Sequence, residues 1–181
     1  ALFRQRRQLA MRWQKLELDD GNFLELAWSG QDDGPIVLLF HGLQGGIRSH
    51  YATGLMHRLN QDGFCTCLMH FRGCGREPNR LPISYHSGKT DDPQRLLEHV
   101  IARSGRPPYA AVGISLGGNV LLKWLGEQGD ASPLRRAVAI SVPFMLDAAA
   151  ERLESGVSRL YQRHLVNSLR DAYRRKFARM P

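Results

Sequence analysis

The chain has 181 residues, 43% of them hydrophobic and 23% charged, a balance that suits one globular domain with a real core and excludes a disordered polymer. No apolar run approaches the ~20 residues of a membrane-spanning helix, and the N-terminal arginines are not followed by the apolar stretch of a secretory signal. The formal net charge is +8. Much of that excess lies near the two ends, at Arg4, Arg6, Arg7 and Arg12 and again at Arg170, Arg174, Arg175, Lys176 and Arg179. Aromatic residues are not interleaved with it as a base-stacking platform would require, so nucleic acid is not an expected partner. The expectation is a solvated face or a surface that meets further chain, with weak, salt-sensitive contact to an anionic membrane surface left open.

Taken in order, Trp13–Leu18 and Phe23–Trp28 alternate as two strands joined through Asp19-Asp20-Gly21-Asn22, a hairpin turn by its residue types. Gln31-Asp32-Asp33-Gly34-Pro35 breaks the chain. Ile36–Phe40 follows as a continuous apolar run, the mark of a strand buried on both faces. Tyr51–Gln61 carries Leu55, Met56 and Leu59 at helical spacing, Asp62-Gly63 stops it, and Phe64–Met69 is again a strand. After a loop from His70 to Thr90, Asp92-Pro93 opens a helix with apolar positions Leu96, Leu97, Val100 and Ile101. Ala110–Ile114 and Ala137–Val142 supply two more strands, with a helix between them that carries Val120, Leu121, Trp124 and Leu125. Strands alternating with helices predict a mostly parallel sheet wound on both sides, entered through an antiparallel hairpin.

Gly113-Ile114-Ser115-Leu116-Gly117 is the stretch with the most chemistry. A strand that turns sharply into a helix through Gly-x-Ser-x-Gly needs glycine two residues to either side of the serine, because a Cβ there would collide with the neighbouring strand or helix. Ser115 would then stand at a helix N-terminus, where backbone N–H groups receive developing negative charge. Acyl transfer needs a second donor already in place. His41-Gly42-Leu43-Gln44-Gly45-Gly46, after an earlier strand, is the loop that could supply it, so the N–H groups of Leu116 and Leu43 are the expected oxyanion hole, with that of Gln44 as the runner-up. Neither loop reads Gly-x-Gly-x-x-Gly, which argues against a dinucleotide.

Two other constellations fail on spacing. Gly88-Lys89-Thr90 ends like a phosphate loop, but Ile83 stands where its first glycine is required. Cys65, Cys67, His70 and Cys74 match no zinc pattern, and an odd number of cysteines, two of them in a strand, fits a reducing compartment and a cytoplasmic protein. Arg72, in Phe71-Arg72-Gly73-Cys74-Gly75, is expected to be a hydrogen-bonding arginine of the fold.

His41-Gly42-Leu43-Gln44-Gly45, Met69-His70-Phe71-Arg72-Gly73-Cys74, Glu77-Pro78-Asn79-Arg80, Tyr85-His86-Ser87-Gly88, Val112-Gly113-Ile114-Ser115-Leu116-Gly117-Gly118-Asn119 and Tyr161-Gln162-Arg163 together resemble the YheT-like branch of the α/β-hydrolase superfamily. The resemblance covers nearly the whole chain from about Trp13. It implies an α/β-hydrolase fold and an esterase or lipase working through a Ser-Asp-His triad without metal or organic cofactor, on a small-molecule or lipid ester, acylglycerols included. It also implies that residues 1–150 are the N-terminal part of the core and 151–181 a helical segment leading into a cap.

One departure stands out. Triad acid and histidine should follow the serine on loops after later strands, yet the one histidine downstream of Ser115 is His164, within a predicted helix, and Asp130, Asp147 and Asp171 are no better placed. The expectation is an N-terminal fragment whose acid and base lie beyond Pro181, with a non-catalytic ligand- or partner-binding module as the competing reading. Acyl chain, head group and oligomeric state are not legible.

Overall fold

The computed structural model describes residues 9–178. Its entrance is a hairpin of β1 (Arg12–Glu17) and β2 (Phe23–Ser29), paired antiparallel with Glu17 opposite Phe23. The turn closes because Gly21 adopts φ +79°, a left-handed conformation open to a residue without Cβ, while the Asp20 carboxylate accepts the Asn22 N–H at 2.9 Å. The alternation in β2 is of the kind found on half-wet strands, but every residue of β2 is buried. Its second face is covered by the segment after residue 70 at Phe23 and Glu25 and by the helix over 52–61 at Ala27 and Ser29. The Glu25 carboxylate accepts the backbone N–H groups of Arg76 and Glu77 and meets the Arg76 guanidinium at 3.3 Å, which draws that segment over the strand.

Beyond the hairpin the chain alternates: β3 (Ile36–Phe40), α1 (Ala52–Gln61), β4 (Cys65–His70), α2 (Asp91–Ser104), β5 (Ala110–Ile114), α3 (Leu116–Gln128), β6 (Arg136–Ile140), α4 (Leu146–Leu153) and α5 (Ser158–Phe177). The strands form one sheet in the order β1-β2-β4-β3-β5-β6. β2 meets β4 antiparallel, whereas β4, β3, β5 and β6 are parallel. Period-two alternation decides which helix covers which face. Leu38 and Phe40 pack with Leu96 and Leu97 of α2 and Leu121 and Trp124 of α3, while Val37 and Leu39 pack with Ala52 and Met56 of α1. Cys65 and Cys67 share the first of these faces as reduced thiols.

From β3 the chain passes through α1 to β4 on one side and returns through α2 to β5 on the other. The loops that leave β3 and β5 therefore diverge at adjacent C-terminal strand ends, where open α/β sheets form their ligand crevice. β6 is the far edge of the sheet, and all of its residues are exposed. Its Val138 and Ile140 are 49% and 43% exposed, and Phe144 and Met145 just beyond are 80% and 67% exposed. No helix among the described residues is long and apolar enough to cross a membrane.

Arg72 ties the long segment between β4 and α2 to the rest of the fold. Its guanidinium is bidentate on Asp92, through Nε to both carboxylate oxygens (3.0 and 2.9 Å) and Nη2 to Oδ1 (2.7 Å), and its other nitrogen reaches Asp20 in the hairpin turn. Arg72 and Asp92 are buried, so the pair stabilises only while both charges are present. Arg72→Met, which leaves Asp92 alone in the interior, is expected to cost about 3–5 kcal/mol in urea unfolding, and Arg72→Met with Asp92→Leu to recover much of that loss.

Candidate active site

β5 passes into α3 through a single residue. Ser115 has φ 53° and ψ −121°, a region sparsely populated by residues with a side chain. Hydrogen bonds hold it there: its N–H donates to the Ile140 carbonyl at 2.8 Å, and its carbonyl accepts from the N–H groups of Gly118 (2.8 Å) and Asn119 (3.2 Å). The flanking glycines have no room for a side chain. A Cβ on Gly113 would lie 2.5 Å from the Gly117 carbonyl oxygen, and one on Gly117 2.4 Å from that of Phe40 and 2.5 Å from that of His41. These contacts are backbone and cannot swing away. On the other side a Cβ on Gly42 would come within 3.3 Å of the Ser115 Cβ, so the loop after β3 runs directly against the serine.

That loop is fastened donor by donor. The Gly42 N–H donates to the Tyr51 hydroxyl (2.9 Å), that of Gln44 to the Tyr85 hydroxyl (2.9 Å), that of Gly45 to the Gly42 carbonyl (2.9 Å), that of Gly46 to Ser49 Oγ (3.1 Å) and that of Ile47 to His70 Nε2 (3.2 Å). From residue 42 to residue 47, only the Leu43 N–H has no acceptor among the described residues. The Gln44 N–H, the runner-up in the sequence, is occupied. Gln44 itself sits at φ 52°, and its side-chain Nε2 also donates to Tyr85, at 3.1 Å. The Leu116 N–H opens α3, where the first helical N–H groups have no partner within the helix.

Two histidines underpin this geometry, and both are neutral. His41 Nε2 accepts the Phe71 N–H at 3.1 Å, so Nδ1 carries the proton and donates to the Gly42 carbonyl at 2.7 Å. His70 repeats the arrangement, accepting at Nε2 from Ile47 and donating from Nδ1 to the Glu25 carbonyl at 3.1 Å. Burial holds His41 down at about 3 and His70 below its ordinary value. The sequence flags His41 as part of the His-Gly loop and His70 as part of a failed zinc pattern; neither signal shows that both rings brace the loop. The available clue was that each histidine directly follows or ends a buried strand. Protonating His41 forces it to give up the Phe71 N–H. Because its pKa is lowered on folding, its contribution is complete above about 6.5 and is lost as pH falls toward about 3. The midpoint of thermal unfolding should begin to drop between pH 6.5 and 5, above the range where ordinary carboxylates titrate.

Ser115, Leu43, Leu116, Gln44, Tyr51 and Tyr85 line one broad, half-open cleft of about 2130 Å³, to which α4 and α5 also contribute. Among the described residues, Ser115 Oγ has no hydrogen-bond partner. His164 lies on α5, exposed, and lines the same cleft; Asp130, Asp147 and Asp171 are exposed and do not line it. Among the described residues no group of three or more His, Cys, Asp or Glu could hold a metal ion. Arg4, Arg6, Arg7 and Arg179 lie outside the described residues, whereas Arg12 pairs with Asp32 at 2.7 Å. Near the other end Arg170, Arg174 and Arg175 are exposed, as a solvated face requires, and Lys176 is half-buried. Gly113→Val and Gly117→Val are each expected to lower unfolding free energy by more than about 2 kcal/mol, since the added methyls meet backbone, whereas Ser115→Ala changes it little; chemical denaturation reads all three.

Comparison with known proteins agrees with this architecture. The sequence profile of the alpha/beta hydrolase fold matches residues 35–180. The chain is 44% identical over 184 residues to an Escherichia coli protein named "Putative esterase YheT", covering 99% of this chain and 54% of that protein. It is 31% identical over 144 residues to the phospholipase ABHD3 of Bos taurus, covering 75% of this chain and 35% of that one. Thus the chain spans about half or less of the length of these relatives. Among solved structures, the esterase Pf2001 of Pyrococcus furiosus superimposes with a TM-score of 0.64 at 17% identity, over 80% of this chain and 56% of the other. With glycine-flanked Ser115 between a parallel strand and a helix, and a profile match over most of its length, the chain belongs to the α/β-hydrolase fold family.

Proposed function

We propose that the protein containing this chain is a serine hydrolase of carboxylic esters, with Ser115 as nucleophile and the N–H groups of Leu43 and Leu116 as the oxyanion hole. The observation that carries this reading is the open Leu43 N–H: the loop has its other donors from residue 42 to residue 47 engaged, and the free one follows Gly42, which abuts Ser115. Relatives named as esterase and phospholipase set the ester class.

The chemistry follows from the geometry. Ser115 Oγ adds to the acyl carbon as its proton passes to a general base, and the carbonyl π pair moves to oxygen, where two fixed N–H groups receive it. Collapse expels the alcohol, which takes up the proton, and water repeats the sequence on the acyl-serine to release acid and regenerate the hydroxyl. Fixed donors matter because they need no reorganisation when the charge appears; losing one from such a site typically costs 10²–10³ in rate. The base is assigned to the part of the longer relatives that this chain does not span, since His41 and His70 have both ring nitrogens engaged, while His50 and His164 line the cleft without a hydrogen bond to Ser115.

In the full-length protein a fluorophosphonate probe should label Ser115, identified by peptide mass spectrometry, and a short-chain aryl ester should be hydrolysed; Ser115→Ala should abolish both. His164→Ala should leave labelling intact, and loss of labelling in that variant would make His164 the base. Tyr85→Phe, which releases the Gln44 anchor, should lower kcat by about tenfold with little change in KM, because a loosened donor loop costs less than a deleted donor. A folded full-length protein that neither labels nor hydrolyses would instead be the non-catalytic binding module.

A further inference from the structure

Two tyrosine hydroxyls hold the loop after β3, and they differ in what they have left to give. A phenol oxygen offers two lone pairs and one proton. Tyr85 receives the Gln44 N–H at 2.9 Å and Gln44 Nε2 at 3.1 Å, which takes up both lone pairs, and has the Cys74 thiol beside it. Tyr51 receives a single donor, the Gly42 N–H at 2.9 Å. Its own proton has no acceptor among the described residues, although the side chain is half-buried and a phenol in that setting ordinarily finds one. Accepting a hydrogen bond polarises the O–H and makes it a better donor.

Where that proton can go is set by the residue that Tyr51 holds. Gly42 is the point at which the loop touches the serine: a Cβ placed on it would lie 3.3 Å from the Ser115 Cβ and 3.8 Å from the Tyr51 hydroxyl oxygen. Serine and phenol thus flank one spot, and both line the cleft together with Leu43 and Leu116. Gly42 and Leu43 are consecutive, so one N–H holds the phenol and the next is the open one. The phenol is also rigidly carried. Tyr51 opens α1, its carbonyl accepts the Leu55 N–H at 2.9 Å, and its ring packs against the cluster that contains Leu39, Ala52 and Met56. His50 is the titratable side chain in ring contact with it, edge-on with centroids 5.3 Å apart. A donor fixed in this way needs no reorganisation when charge appears.

Resting on the serine-hydrolase reading above, we infer that the Tyr51 hydroxyl is a third oxyanion donor, acting beside the Leu43 and Leu116 N–H groups. As Ser115 Oγ adds to the acyl carbon, the carbonyl π pair moves to oxygen and the phenol hydrogen-bonds to it. The O–H bond stays intact, and the donor is released when the pair returns and the alcohol is expelled. Through Tyr51 the Gly42 N–H also serves the developing charge, one hydrogen bond removed. Because the interaction strengthens as that charge grows, its loss falls on kcat more than on KM.

The test uses the full-length protein. With a phosphonate on Ser115 Oγ, a crystal structure should show the phosphonyl oxygen that Leu43 and Leu116 hold lying also about 2.5–3.0 Å from Tyr51 Oη. Tyr51→Phe should lower kcat on a short-chain aryl ester by about 10²–10³ with KM little changed, against about tenfold for Tyr85→Phe, which removes a brace alone. Since Tyr51→Phe also frees the Gly42 N–H, 3,5-difluorotyrosine placed at position 51 by an expanded genetic code separates donor from brace, and it serves equally if the phenylalanine variant fails to fold. Fluorination makes a phenol more acidic and keeps its oxygen. An ionised phenol has no proton to give, so the alkaline fall of kcat should move to lower pH in the fluorinated protein; a mere brace would still accept the Gly42 N–H when ionised and leave that fall where the parent has it. A phosphonyl oxygen held by Leu43 and Leu116 but more than about 3.5 Å from Tyr51 Oη, or an unmoved alkaline fall, overturns the inference and leaves the serine hydrolase standing. A folded protein that neither labels at Ser115 nor turns over an ester overturns the hydrolase reading and this one with it.

Discussion

The contact on which the rest of the site depends is Gly117 against the carbonyl groups of Phe40 and His41. A side chain would approach those oxygens to 2.4 and 2.5 Å, so the first turn of α3 reaches the end of β3 only because Gly117 has none. That closeness brings the loop leaving β3 and the turn leaving β5 into one neighbourhood, with Gly42 against Ser115. The strained backbone of Ser115 is tolerated because three hydrogen bonds and two glycine contacts over-determine it. Sheet order supplies the setting: β3 and β5 are adjacent and parallel, and their connections diverge.

Around that contact the protein spends buried polar groups on rigidity. His41 and His70 are held in one tautomer each by a backbone donor and a backbone acceptor, while the hydroxyls of Tyr51 and Tyr85 take two more N–H groups of the loop. Tyr85 is in turn stacked on Phe71, with ring centroids 5.1 Å apart and planes within 9°, and Phe71 meets the edge of His41 at 4.8 Å. The segment after β4 is anchored by Arg72 to α2 and the hairpin turn, and by Glu25 to β2. Loop position is thus set by groups from five separate stretches of chain, which makes the unoccupied Leu43 N–H a product of the whole fold.

Much of this was legible in the sequence because it rests on local rules. Apolar runs and turn residues placed the six strands and α1 to α3 to within a few residues, α4 was not foreseen, and Gly113, Ser115 and Gly117 announced a tight strand-to-helix turn through steric need. The bracing of the loop was not legible, since it depends on pairings across the sheet: nothing local to His70 says that it receives the Ile47 N–H, nor does Tyr85 advertise Gln44 as its partner. Full burial of β2 was hidden for the same reason, its second face being covered by α1 at Ala27 and Ser29 and by a segment some fifty residues later at Glu25. Of the basic run expected to be solvated, Arg170, Arg174 and Arg175 are exposed while Lys176 is half-buried, a distinction that composition does not make.

In the proposed reading, the link between that geometry and ester chemistry is the Leu43 and Leu116 N–H groups. A crystal structure of the full-length protein carrying a phosphonate on Ser115 Oγ tests it most directly. The phosphonyl oxygen should lie about 2.7–3.1 Å from both the Leu43 and the Leu116 nitrogens, with the Gln44 N–H still on Tyr85. An oxygen turned away from Leu43, or bound by Gln44 after Tyr85 has let go, would contradict the assignment.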